Sequence, residues 1–93
     1  MPVPTERVRV VVRGIVQGVW FRESTRQAAL EHEVAGWVRN RSDGAVEAVF
    51  EGEPSAVQSM VAWTRTGPPR ALVESIDEFA EKPEGLYGFD VRF

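Results

Sequence analysis

The sequence is organised around one stretch, in which an apolar run gives way to a helical pattern: Arg13-Gly14-Ile15-Val16-Gln17-Gly18-Val19-Trp20-Phe21-Arg22. Two glycines allow the backbone to fold tightly, so that successive N–H groups can turn inward. N–H groups that converge at the start of a helix form a concave site for an anion, and the guanidinium of Arg22 can grip two phosphoryl oxygens at once. The stretch therefore predicts a phosphoryl-binding loop, although it matches neither the dinucleotide pattern GxGxxG nor the Walker pattern GxxxxGK(S/T).

Length and composition predict one small domain over residues 1–93, with residues 1–6 as a flexible leader because Pro2 and Pro4 oppose regular structure. The absence of cysteine excludes disulfides and thiol nucleophiles. A net charge of −3 argues against a general nucleic-acid binder. The sequence contains neither a long apolar run nor a signal-peptide pattern, so we expect a cytoplasmic protein with no membrane span.

Alternating and helical patterns predict seven elements. These are a strand over 7–13, a helix over 22–32, strands over 36–41 and 45–52, a helix that starts at 53–55, a strand over 71–80 and a short strand over 89–93. The pair Asp43-Gly44 predicts a hairpin turn, and Gly67-Pro68-Pro69 ends the second helix. In the fourth strand Ile76 is out of phase with Ala71 and Val73, which predicts a bulge.

The order of these elements favours a split βαβ arrangement, an antiparallel sheet with two helices on one face. In that arrangement the first and second strands are parallel and lie on either side of the third. Their C-terminal ends then share one edge of the sheet, with backbones roughly 10 Å apart. Arg22 and Asn40 can meet there around a small ligand. Asn40 has a second interpretation, as an Asn that hydrogen-bonds its own turn, and the sequence leaves both open.

Two segments resemble signatures of a known family. Residues 12–22 resemble the first signature of the acylphosphatase family, and residues 36–40 with Gly44, Val46 and Gly52 resemble the second. The likeness covers almost the whole chain. The departures are His32 and Glu33, where many relatives carry Leu and Gly, and they lie at the end of the first helix.

The resemblance implies a small enzyme with a ferredoxin-like fold that uses no cofactor or metal and hydrolyses acyl phosphates to carboxylate and inorganic phosphate. The essential Arg of the family corresponds to Arg22 and its essential Asn to Asn40. The phosphate-binding amides correspond to five loop residues: Val16, Gln17, Gly18, Val19 and Trp20. The expected partners are a small acyl phosphate and, as product or inhibitor, inorganic phosphate or sulfate. No nucleic acid or membrane partner is expected, and the protein is expected to be a monomer.

The residue types in the two signatures indicate direct attack by water. Neither Arg22 nor Asn40 can act as a general base, and the signatures place no Ser, Cys or His as a nucleophile. The amide of Asn40 is expected to hold the attacking water. Asp43 and Glu47 are better explained by a turn and by the exposed face of a strand than as bases.

Other functions are compatible with the same fold. The main alternative is a non-catalytic ferredoxin-like domain that binds nucleic acid or a small ligand. Similar domains also occur as modules within larger hydrogenase-maturation carbamoyltransferases. His32, the only histidine, is interpreted as a packing or surface residue. The physiological acyl group stays open, because the signatures describe the phosphoryl end of the substrate only.

Overall fold

The computed structural model describes residues 4–93. Its elements in chain order are β1 (Glu6–Ile15), α1 (Phe21–Glu31), β2 (Ala35–Asn40), β3 (Val46–Gly52), α2 (Pro54–Thr64), β4 (Leu72–Glu81) and β5 (Phe89–Arg92). The predicted leader falls partly on residues 1–3, which lie outside the described residues. Glu6 is already paired in the sheet, opposite Gly52, so the strand starts earlier than the leader prediction allowed.

The five strands form one sheet in the order β4-β1-β3-β2-β5. β3 pairs antiparallel with both β1 and β2, and β4 pairs antiparallel with β1. The predicted ferredoxin-like α+β fold is therefore confirmed. The prediction of a wholly antiparallel sheet is wrong for the last strand, because β5 pairs parallel with β2 and makes the sheet mixed.

One face of the sheet is covered by α1 and α2. Val8, Val10 and Val12 of β1 are buried against the helices. One stripe of each helix is also buried, whereas His32, which was interpreted as a packing or surface residue, is exposed. The stripe residues are Thr25, Ala28 and Ala29 of α1 and Val57, Met60, Val61 and Thr64 of α2. Neither helix of the described chain is long and apolar enough to cross a membrane.

A glutamate, Glu33 after α1 and Glu53 at the start of α2, takes the position where a glycine or a serine commonly caps a helix. Glu33 follows α1 with a φ of 57°, in the left-handed region where glycine is favoured, and Val34 N–H donates to the carbonyl of Ala29 at 2.9 Å. At the start of α2 the carboxylate of Glu53, not the hydroxyl of Ser55, accepts hydrogen bonds from the first free amides.

The predicted bulge lies where β1 and β4 meet. Arg13 pairs with Ser75 and Gly14 with Val73, so Glu74 is the additional residue of β4. This shift brings both Val73 and Ile76 against the core despite their odd spacing. It also explains Gly14, since a Cβ there would lie 2.1 Å from the carbonyl oxygen of Leu72. Gly14 therefore belongs to the strand, not to the tight loop as predicted.

The open face of the sheet is lined by paired charges. Arg7 and Arg9 both contact Glu81, with N–O distances of 2.9 Å in each case. Arg9 and Arg39 contact Glu47 at 3.1 and 2.6 Å. Glu47 is only 5% exposed, so the expectation of an exposed strand residue was wrong. The reason is that arginine side chains from neighbouring strands cover its carboxylate.

Glu51 anchors the segment that carries the chain from β4 across the end of the sheet to β5. Its carboxylate accepts hydrogen bonds from the amides of Glu84, Gly85 and Leu86 at 2.8, 2.8 and 2.7 Å. Arg7 Nη1 lies 3.5 Å away. Burial alone raises the pKa of Glu51, but these hydrogen bonds to its charged form outweigh it and hold the pKa below the ordinary value.

We expect Glu51→Gln to lower the free energy of unfolding at pH 7 by about 2 kcal/mol, because a neutral amide accepts these bonds less well. A lowered folded-state pKa stabilises the fold above the unfolded-state value of 4.5, and this stabilisation is lost as the pH falls through the folded pKa. The gap between wild type and variant in urea denaturation should therefore narrow as the pH falls below 4.5.

Glu84→Gln is the matched control, since the Glu84 side chain also contacts Arg7 but is 63% exposed. The Glu84→Gln substitution should lower the free energy of unfolding by about 0.5 kcal/mol or less. A Glu51→Gln penalty that is equally large at pH 3 and pH 7 would contradict the role of the ionised carboxylate.

Candidate active site

The loop between β1 and α1 offers a run of backbone donors. Gly18 and Trp20 have φ values of 74° and 66°, so the backbone is left-handed at two alternate positions. No amide of residues 16–20 donates a hydrogen bond to another described residue. α1 begins at Phe21 without a side-chain cap. Such a loop, which leads into an uncapped helix, can present several N–H groups to one anion.

Arg22 lies in the first turn of α1 and is held by the C-terminal end of β5. Its Nη1 donates to the carbonyl of Arg92 at 3.3 Å, and its Cζ lies 4.6 Å from the centre of the Phe93 ring. Within residues 4–93 it makes no ion pair, in contrast to Arg7 and Arg9. Its positive charge is therefore positioned by a carbonyl and a ring, neither of which neutralises it.

Asn40 is the last residue of β2 and is half-buried. Its side chain makes no hydrogen bond within the part of the chain that the structure describes, so the turn interpretation does not account for it. The turn is instead closed by Asp43, whose Oδ1 accepts from the amide of Ala45 at 3.1 Å. The backbone pair of Arg41 N–H and Ala45 carbonyl, at 2.8 Å, completes the hairpin.

Arg22 and Asn40 line the same cleft, of about 530 Å³, at the ends of β1 and β2. Of the five loop residues predicted to bind phosphate, Val16, Gly18 and Trp20 also line it. Gln17 and Val19 do not. Val19 packs against the hydrophobic core. The side chains thus meet at one edge of the sheet, as the parallel arrangement of β1 and β2 requires.

The side chain of Gln17 has a role that the sequence did not suggest. Its Nε2 donates to the carbonyls of Arg41 and Ala45, at 2.8 and 3.0 Å. These carbonyls belong to the hairpin that follows Asn40. The loop and the end of β2 are therefore tied together by one amide group. The one sign of this role in the sequence is that Gln17 is an uncharged polar residue inside an otherwise apolar loop.

The C-terminal residues are the other part of the site that the sequence did not reveal. Val91 and Phe93 line the cleft, and Arg92 supplies the carbonyl that holds Arg22. Their alternating pattern predicted a strand. The pattern could not indicate that β5 would pair with β2. It therefore could not indicate that β5 would end beside α1.

Asp43 is not placed to act as a general base, and the described residues offer no metal-binding cluster at this edge. Asp43 does not line the cleft, and the hydrogen bond from the Ala45 amide, with Arg13 and Arg41 nearby, lowers its pKa. A carboxylate with a lowered pKa is a weak proton acceptor. Residues 4–93 contain no cluster of three or more His, Asp or Glu side chains that could hold a metal ion.

Comparison with known proteins shows which family the chain belongs to. The acylphosphatase family model matches residues 8–91. An acylphosphatase of Natronomonas pharaonis is 55% identical over 92% of this chain and 94% of its own length, and one of Gloeobacter violaceus is 58% identical over 91% of each. The structure of an acylphosphatase from Coxiella burnetii superposes with a TM-score of 0.91 at 40% identity, covering 95% of this chain and 93% of the other. The match extends over nearly every element described above, and the chain belongs to the acylphosphatase family.

Proposed function

We propose that this acylphosphatase cleaves its substrate by direct attack of water, with Arg22 and the amides of residues 16–20 holding the phosphoryl group and Asn40 orienting the water. The observation that carries the proposal is that Arg22, which has no carboxylate partner among residues 4–93, lines one cleft with three loop residues whose amides donate to no other described residue. Phosphoryl transfer requires mainly positioning and stabilisation of charge on the equatorial oxygens. Donors that are already in place supply that stabilisation without reorganisation.

A site without a general acid is sufficient for this reaction because of the leaving group. An acyl phosphate releases a carboxylate, whose conjugate acid has a pKa close to that of a glutamate side chain, about 4.3. Such a group departs without protonation, so no general acid is needed. This agrees with a cleft whose one acidic side chain, Glu23, is paired with Arg26 at 2.6 Å.

Asn40 suits the water because its side-chain amide makes no hydrogen bond to any of residues 4–93. Oδ1 can accept a hydrogen bond from one O–H of the water and direct the oxygen lone pair at phosphorus. The water proton then passes to a phosphoryl oxygen of the substrate, which becomes part of the released phosphate. No protein group needs to change its protonation state in this scheme.

Several features of the proposal follow from the same cleft. Inorganic phosphate, as product, and sulfate, as its analogue, should compete for the phosphoryl site. We propose that the protein acts as a monomer, since Arg22, Asn40 and three loop residues already line one cleft within a single chain. We also propose that the protein acts without a cofactor and in the cytoplasm, as the sequence predicts.

The direct test is hydrolysis of benzoyl phosphate in the presence of EDTA, with Arg22→Ala as the control. We expect metal-independent release of benzoate and phosphate by the wild type. Activity that disappears with EDTA and returns with added metal would contradict direct attack assisted by protein groups alone.

We expect Arg22→Ala to weaken phosphate inhibition and to lower kcat by about a hundredfold or more, because it removes a charge that contacts the phosphoryl group. Steady-state kinetics with phosphate as the inhibitor measures both effects.

Asn40→Ala should lower kcat by about a hundredfold while phosphate inhibition stays close to that of the wild type, because the water is held apart from the phosphoryl site. Near-full activity would exclude the orienting role. A loss of phosphate affinity as large as that of Arg22→Ala would make Asn40 a binding residue instead.

Gln17→Leu should lower kcat by about tenfold, because the loop and Asn40 lose the amide that fixes their relative position. Gln58→Leu is the matched control, since Gln58 makes one exposed side-chain hydrogen bond, to Glu6, at 2.8 Å. Thermal unfolding of both variants separates a loss of positioning from a loss of fold. A folded Gln17→Leu variant with wild-type kcat would show that the tie does not position the site.

A further inference from the structure

Phosphoryl binding does not use the side chain of Trp20. The indole is 72% exposed, although Trp is a residue that soluble proteins rarely leave so open. Its backbone has a φ of 66°, which costs an L-residue stability that glycine would not lose. Gly18 adopts a similar φ two residues earlier without a side chain. The turn therefore requires the backbone of Trp20 but not its indole, and strain of this kind often marks a functional residue.

The indole lies at the cleft and not on an unrelated surface. Trp20, Phe21, Val91 and Phe93 supply apolar walls to the same cleft that contains Arg22. At about 530 Å³ the cleft is of the size that holds a drug-sized ligand, far larger than a phosphoryl group. Most of its volume is therefore left for whatever the phosphoryl group carries.

The apolar wall begins directly beside the phosphoryl-binding cation. The Phe93 ring lies over the guanidinium of Arg22, with 4.6 Å between Cζ and the ring centre, and is otherwise fully exposed. A substrate held at Arg22 by its phosphoryl group would place its acyl group in the remaining part of this cleft. The exposed rings of Phe93 and Trp20 line the cleft.

We propose that Trp20 and Phe93 form an acyl-group subsite that selects acyl phosphates with an uncharged aromatic or bulky apolar acyl group. The inference rests on the proposed function, because the subsite is defined by the group attached to the phosphoryl held at Arg22. When two aromatic rings pack together, the contact contributes more favourable free energy than the burial of their apolar area alone.

The test compares kcat/KM for benzoyl phosphate and acetyl phosphate in the wild type, Trp20→Gly, Trp20→Phe and Tyr87→Ala. Glycine accepts the backbone conformation of residue 20, and both substrates present the same phosphoryl group, so damage to the loop cancels in the ratio. We expect the benzoyl-to-acetyl ratio to fall about tenfold in Trp20→Gly, the scale of one lost apolar ring contact. Trp20→Phe should keep most of the ratio.

Tyr87→Ala is the matched control, since Tyr87 is an aromatic residue that is 97% exposed and does not line this cleft. Its ratio and its activity should equal those of the wild type. A Trp20→Gly ratio equal to that of the wild type would overturn the subsite and leave the proposed function standing. A wild type inactive on both substrates would overturn the proposed function and the subsite with it.

A second measurement needs no variant. Phenylphosphonate should inhibit the wild type about tenfold more strongly than methylphosphonate, because the two differ only in the group that the subsite would contact. Equal inhibition by the two compounds would overturn the subsite even if Trp20→Gly failed to fold.

Discussion

β3 lies between β1 and β2 and pairs antiparallel with both, so β1 and β2 must run in the same direction. The rest of the site depends on this constraint. Two parallel strands end at the same edge of a sheet, and the residues that follow those ends become neighbours. The loop after β1 and the last residue of β2, Asn40, therefore meet although they are distant in sequence. Gln17 then ties the two ends together through the carbonyls of Arg41 and Ala45.

The electrostatic environment of Arg22 differs from that of three arginines on the open face of the sheet. On the open face of the sheet Arg7, Arg9 and Arg39 are paired with carboxylates of neighbouring strands, which allows charged side chains to lie buried or half-buried there. Arg22, at the other end, contacts a carbonyl and a ring. A guanidinium in that environment keeps its attraction for an anion.

The short strand β5 has more influence on the site than its length suggests. It joins the sheet parallel to β2 and ends beside the first turn of α1. Its last residues supply the carbonyl that holds Arg22 and the ring that covers one side of it. Glu51 secures the segment that leads to β5 by accepting hydrogen bonds from three successive amides. The hydrogen bonds of Glu51 therefore stabilise the segment that places β5, and β5 in turn positions Arg22 at the cleft.

The sequence by itself determined the elements, their order and the choice of Arg22 and Asn40, which the structure brings to one cleft. Alternating valines, the Asp43-Gly44 turn and the phase shift before Ile76 are local patterns, and each arises from the period of a strand or the geometry of a turn. The ferredoxin-like arrangement follows from these with few alternatives, because crossovers are right-handed. Arg22 and Asn40 could be named because they occupy loop and strand-end positions in recognisable signatures.

Tertiary structure alone decided the features that depend on contacts between distant residues. Gly14 is explained only by the close approach of Leu72, and the burial of Glu47 only by arginines from other strands. The Gln17 tie spans 24 and 28 residues, and the contact of Arg22 with Arg92 spans 70. Such partners leave no periodic trace in the sequence, because their spacing along the chain is set by packing and not by the repeat of a helix or strand.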